Sequence, residues 1–232
     1  MKVIRLILAG LVILVLAMFC VRGAAAQAKA PQKAAPGASF NRALLNPAAL
    51  NEKAPDTYDV KFTTTKGEFT VRVTRAWAPL GADRFYNLVK NGFYDDASLF
   101  RAVERFMVQF GISAHPAVSA AWQRAAIKDD PRKTSNTRGK ITYAMAGPNT
   151  RTTQVFISYG DNSFLDSQGF SPFGEVVKGM DVVDNLYKGY GEETTSKQGE
   201  IAANGKPWLV KNFPKLDSII KAEIAAAPAP AK

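Results

Sequence analysis

The run Ser98 to Gly111, SLFRAVERFMVQFG, decides how the rest of the chain is read. It sets two arginines, Arg101 and Arg105, one glutamine and several large apolar side chains within fourteen residues. Two extended runs meeting at Glu104-Arg105 would, by the two-residue period of a strand, put Met107 and Gln109 on one face. Phe106 and Val108 would take the other. Such a surface joins apolar area to hydrogen-bonding groups but carries no activated nucleophile, no proton-shuttling histidine and no metal-ligand cluster. A reaction run here must proceed by shape and polarity.

Outward from that run, elements alternate with turn signals. Upstream, Tyr58, Val60 and Phe62 alternate with polar residues, Lys66-Gly67 supplies a turn, and Phe69, Val71 and Val73 alternate again, which predicts a hairpin with one buried face. Pro79 then opens a helix that carries Ala82, Phe85, Leu88 and Val89 at helical spacing and stops at Asn91-Gly92. Downstream, Ile112 to Arg138 is too long for an ordinary connection, so it is functional, partly structured around Trp122, or mobile. Extended segments are expected at Lys140 to Ala146, Thr153 to Ser158 and Phe173 to Val177. In the second of these Gln154 and Phe156 share a face, and an amide beside a phenylalanine marks that face as a candidate site. Lys178-Gly179 opens a second helical stripe of Met180, Val183, Leu186 and Tyr187. Trp208 to Val210 and Ile219 to Ile224 read as closing strands. Many short strands and only two helices predict an antiparallel barrel with helical caps.

Composition narrows the function classes. A chain of 232 residues with 47% hydrophobic content suits one medium domain with non-globular ends. The formal charge of +10 falls by about three if Lys2, Arg5 and Arg22 leave with a leader, and the remaining basic residues are interleaved with acids. That distribution argues against a nucleic-acid stripe. The single cysteine, Cys20, lies in the first apolar run, so the domain has neither disulfide nor thiolate metal site. The single histidine, His115, precedes Pro116 in an Ala-rich loop and reads as an exposed loop residue.

Residues 1–28 follow the grammar of a signal peptide: Lys2 and Arg5, an apolar run from Leu6 to Val21, then small residues ending at Ala26 or Ala28. Export to a periplasm is expected; secretion, or tethering by an uncleaved leader, is the alternative. Residues 29–56 divide into an Ala/Pro-rich linker and a stretch from Phe40 to Asp56 that is either an arm laid on the domain or more linker. The folded domain is expected at 57–224, with an Ala/Pro tail at 225–232.

Together, FRAVERFMVQFG at 100–111, AMAGPNTRTTQVFI at 144–157, FLD at 164–166 and FGEVVKGMDVVD at 173–184 resemble the cyclophilin family of peptidyl-prolyl cis-trans isomerases. The resemblance spans roughly Tyr58 to Ile224. It implies a mainly β fold, an eight-stranded antiparallel closed barrel capped by two α-helices, with a groove on its outer surface. It also implies that Arg101 is the catalytic arginine and that Phe106, Met107, Phe156 and Leu165 wall a proline pocket. Gln109 would position the arginine or bind a substrate carbonyl, and Gln154 would be a second polar groove residue. Ala144 matches the neighbouring subsite, and Met145 a position that meets substrate through its backbone. Phe164 stands where a tryptophan is associated with tight cyclosporin binding. Phe100 stands where many members have histidine, Glu104-Arg105 replaces a Pro-Gly turn, and Gly169-Phe170 replaces a groove histidine.

The implied activity is isomerisation of X-Pro bonds in unfolded or exported polypeptides by a monomer, without cofactor, nucleic acid or membrane contact by the mature domain. The alternative is a proline-segment binding module or holdase with little turnover.

Overall fold

The computed structural model describes residues 40–225. The expected leader, the linker to residue 39 and the tail from residue 226 lie outside the described residues. The hairpin forms as β1 (Thr57–Thr64) and β2 (Gly67–Thr74), with Tyr58 opposite Val73, Val60 opposite Val71 and Phe62 opposite Phe69. All six side chains are buried, because the strand period sends every second residue inward. The Phe62 and Phe69 rings stack at 4.7 Å.

Ten further elements follow: α1 (Pro79–Lys90), β3 (Arg101–Val103), β4 (Met107–Phe110), α2 (Pro116–Trp122), β5 (Lys140–Tyr143), β6 (Val155–Ser158), β7 (Pro172–Lys178), α3 (Met180–Asp184), α4 (Gln198–Asn212) and β8 (Ile219–Ala225). The eight strands make one antiparallel sheet in the order β3-β4-β6-β5-β7-β2-β1-β8. Its edges meet through one bridge, Ser98 to Ser218, where Leu99 N–H donates to Asp217 O at 2.9 Å and Ile219 N–H to Ala97 O at 2.8 Å. The barrel therefore closes by one bridge rather than a full ladder. Curling is what lets so many short strands share one core.

Helix α1 seals that core with Ala82, Phe85, Leu88 and Val89, and Phe85 lies 4.9 Å from Phe173. Its N-cap residue Ala78 has no side-chain acceptor, so the free N–H groups of its first turn are met from a distance. Leu80 and Gly81 donate to the Asp130 carboxylate at 3.0 and 2.9 Å, and Arg151 pairs with the same group at 3.1 Å. That contact anchors the long connection after β4. The connection is also structured by α2, whose Trp122 is buried and donates its indole N–H to Leu44 O at 2.8 Å. Leu44 is itself buried, so residues 40–56 lie against the domain.

Three expectations differ. Trp208–Val210 is part of α4 rather than a closing strand: three consecutive apolar residues carry no period, and of the three only Leu209 is buried, packed with Ile201 and Phe213. Gly205, with φ of 67°, breaks α4 and lets it pass Ala114 O, which an added Cβ would meet at 2.4 Å. The two helical caps are joined by α2 and α4, and α3 is only five residues long. His115 is half-buried before α2, its ring 4.9 Å from that of Phe40.

Candidate active site

Arg101 and Gln109 face each other across the β3–β4 ladder, and Gln109 pairs onward with Phe156 of β6. This register aligns the polar side chains. Arg101 Nη1 donates to Gln109 Oε1 at 2.9 Å, and Gln109 Nε2 donates to Gln154 Oε1 at 2.7 Å. Because a guanidinium only donates, Arg101 fixes which way the buried Gln109 amide points. The other edge of the arginine is gripped by Glu192, with Nε to Oε2 at 2.8 Å and Nη2 to Oε1 at 2.7 Å. Three of five N–H donors are thus engaged, leaving two for a ligand. The bound guanidinium holds the Glu192 carboxyl below its ordinary range.

Beside this chain lies a cavity of about 320 Å³, lined by Arg101, Gln109 and Gln154 on its polar side and by Phe106, Met107, Phe156 and Leu165 on its apolar side. Met107, Phe156 and Leu165 are buried and pack together, with Phe106, Ala144 and Phe170 around them. The turn before β4 sets one wall. Arg105 adopts φ of 63°, a left-handed conformation that costs a non-glycine residue roughly 1–2 kcal/mol. It directs Phe106 toward Met107 rather than toward the core face of Val108. Strand alternation therefore fails at Phe106, because that residue belongs to the turn. The opposite wall is tied down by Asn162, whose Nδ2 donates to Phe106 O at 2.8 Å.

The sequence model of the family described as "Cyclophilin type peptidyl-prolyl cis-trans isomerase/CLD" matches residues 59–206, more than half of the chain. The chain belongs to the cyclophilin family. Among curated relatives, a peptidyl-prolyl cis-trans isomerase of Acinetobacter baylyi is 34% identical over 133 residues, covering 55% of this chain and 70% of the relative. Peptidyl-prolyl cis-trans isomerase B of Escherichia coli is 30% identical over 171 residues, covering 70% and 96%. A solved cyclophilin-type isomerase of Cryptosporidium parvum superposes with a TM-score of 0.54 at 18% identity, covering 74% of this chain and 99% of that one. At that identity the superposition speaks for the cyclophilin fold alone.

Within this cyclophilin, nine of the ten residues singled out in the sequence line one cavity: Arg101, Phe106, Met107, Gln109, Ala144, Met145, Gln154, Phe156 and Leu165. Phe164 does not. It is 57% exposed and stacks on the outer side of Phe106 at 5.9 Å, because the 3₁₀ turn Ser163–Gln168 points Leu165 inward and its neighbour out. Thr150, Thr152 and Gln198 also line the cavity, and Glu192 holds its arginine. Nothing in the polar run around Glu192 marked it, since its role depends on a contact across 91 positions. Among the described residues, no cluster of three or more His, Cys, Asp or Glu could hold a metal ion.

Proposed function

We propose that this cyclophilin binds X-Pro segments of unfolded polypeptides in the cavity beside β4 and β6 and speeds rotation about the prolyl bond there. Arg101 acts as the catalytic residue. The observation that carries the reading is one guanidinium, held by three hydrogen bonds, at the rim of a buried apolar floor of Met107, Phe156 and Leu165.

A peptide bond resists rotation by about 18–20 kcal/mol because its nitrogen shares a lone pair with the carbonyl. As the bond twists, that pair localises on nitrogen and becomes a better acceptor. A donor aimed there binds the twisted state more tightly than either planar state, which is the condition for catalysis. Arg101 meets it with a permanent charge and two unengaged N–H groups. A charge-assisted hydrogen bond contributes about 1.5–3 kcal/mol, or roughly one to two decades of rate, so the apolar floor must contribute as well. It anchors the proline ring while the preceding carbonyl turns, and it strips water from a dipole that weakens in the twisted state. Gln109, itself fixed by its bond to Gln154, holds the arginine on one side, and Gln154 Nε2, without a partner among the described residues, is available to a substrate carbonyl. Ala144 and Met145 border the neighbouring position of the bound chain, and Phe164 extends the Phe106 wall outward.

The leader grammar of residues 1–28 supports export, and with it a role in folding exported proteins in a periplasm by a monomer. No helix among the described residues is long and apolar enough to cross a membrane.

The test is the cis-to-trans rate of an X-Pro peptide with the purified protein and its Arg101→Ala variant, beside peptide affinity. Turnover should fall about 10- to 100-fold and affinity much less. Equal losses of both would move the function to binding.

A further inference from the structure

We propose that Glu192 is a positioning residue for the arginine, fixing the plane of the Arg101 guanidinium so that its two unengaged N–H groups face the substrate. The inference rests on the catalytic role of Arg101 proposed above.

The contact is built by the backbone, not reached for by a loose side chain. Between α3 and α4 the chain returns across β3, where Gly191 forms a bridge with Ala102. Thr194 is fully buried and its hydroxyl donates to Phe100 O at 2.5 Å. Residues 191–194 thus form a short strap along the outer edge of the sheet, and Glu192 projects from it beside Arg101. Thr195 Oγ1 donates to Glu192 Oε2 at 2.6 Å and orients the carboxylate. Behind the strap, Ile201, Leu209 and Phe213 pack on Phe100 and Ile112.

Gln109 touches the guanidinium at one nitrogen, a contact about which the group can still rock. Glu192 adds two parallel bonds on a second edge, and three contacts define a plane. With its side chain 55% exposed, Glu192 makes an ion pair that contributes little to folding. Its effect belongs in the orientation of a reacting donor, which geometry-sensitive catalysis rewards.

The experiment compares the full protein with E192A, E192D, R101A and the R101A/E192A double variant, reading kcat and KM for an X-Pro peptide by NMR exchange and the melting temperature by circular dichroism. E192A should lower kcat about three- to tenfold at an unchanged KM and melting temperature. E192D, too short to reach both nitrogens, should recover part of that loss. In the R101A background E192A should change nothing further, since the carboxylate acts only through the arginine. Wild-type or raised kcat in E192A overturns the proposal, as does an equal loss in the R101A background. Full kcat in R101A would instead remove the catalytic reading beneath it.

Discussion

Replacing Arg101 by lysine separates charge from geometry in the proposed mechanism. The guanidinium makes three bonds from two edges, at 2.9 Å to Gln109 and at 2.8 and 2.7 Å to Glu192. An ammonium is a single point on a flexible stem; it can sit with Glu192 or with Gln109, and it offers the prolyl nitrogen a donor of no fixed direction. If the full charge-assisted bond is about 1.5–3 kcal/mol, keeping the charge while losing the fork should forfeit about 1–2 kcal/mol, a five- to thirtyfold fall in kcat. Folding should hardly notice. Arg101 is 20% exposed and Glu192 55%, so water can replace the broken contacts and stability should stay within about 1 kcal/mol. Exchange spectroscopy on an X-Pro peptide gives kcat and KM, and a urea titration gives stability on the same samples. Wild-type kcat in R101K would refute the argument, because charge alone would then suffice. A kcat that falls only in step with unfolding would refute it as well.

Gly111→Ala tests the backbone under the site. Gly111 has φ of 108°, and an added Cβ would meet Thr153 O at 2.4 Å and Gln154 Cα at 2.8 Å, where Tyr94 Oη already donates to Thr153 O at 2.9 Å. Strain and overpacking together should cost about 2–5 kcal/mol in urea denaturation, and displaced Gln154 should lower turnover too; a cost under about 1 kcal/mol would contradict the packing. The Glu192 carboxyl supplies a pH test. Paired with Arg101 it stays ionised in the folded protein to lower pH than in the unfolded chain. Its contribution to stability is therefore complete above the ordinary glutamate range and is lost as pH falls through the depressed folded value. An NMR titration of its side-chain carbon should show that depressed midpoint, and Arg101→Ala should return it toward the ordinary value; an identical midpoint in both proteins would mean that the pair does not form in solution.

How much of this was legible in the sequence follows from the range of the forces involved. The hairpin, α1 and the two site strands are written in local periods, so Val60, Phe62, Val71 and Phe85 could be placed inside from spacing alone. The shared face of Gln154 and Phe156 was readable for the same reason. Phe106 was not: its direction depends on the left-handed Arg105 before it, and a period cannot show a turn conformation adopted against steric preference. Asp130 and Glu192 were equally hidden. Each is one acid in a polar loop whose meaning comes from a partner dozens of positions away.

Phe100 and α4 show that two of these gaps are one. Seen in the sequence, phenylalanine before the catalytic position is an isolated departure from a family pattern, and Trp208–Val210 reads as a closing strand. In the fold Phe100 is 1% exposed and meets Ile201, Leu209 and Phe213 of the segment that begins with α4. A histidine there would bring a polar ring into an apolar cluster with no evident partner, which is costly unless a hydrogen bond compensates. The phenylalanine and the extra helix therefore belong together: one supplies the surface, the other covers it. Covering it fixes the strap between them, whose Thr194 bonds to the carbonyl of Phe100 itself. On this account the step from sequence to function runs through packing on the outside of β3, and the orientation of Arg101 depends on a small second core none of whose buried residues lines the cavity beside it.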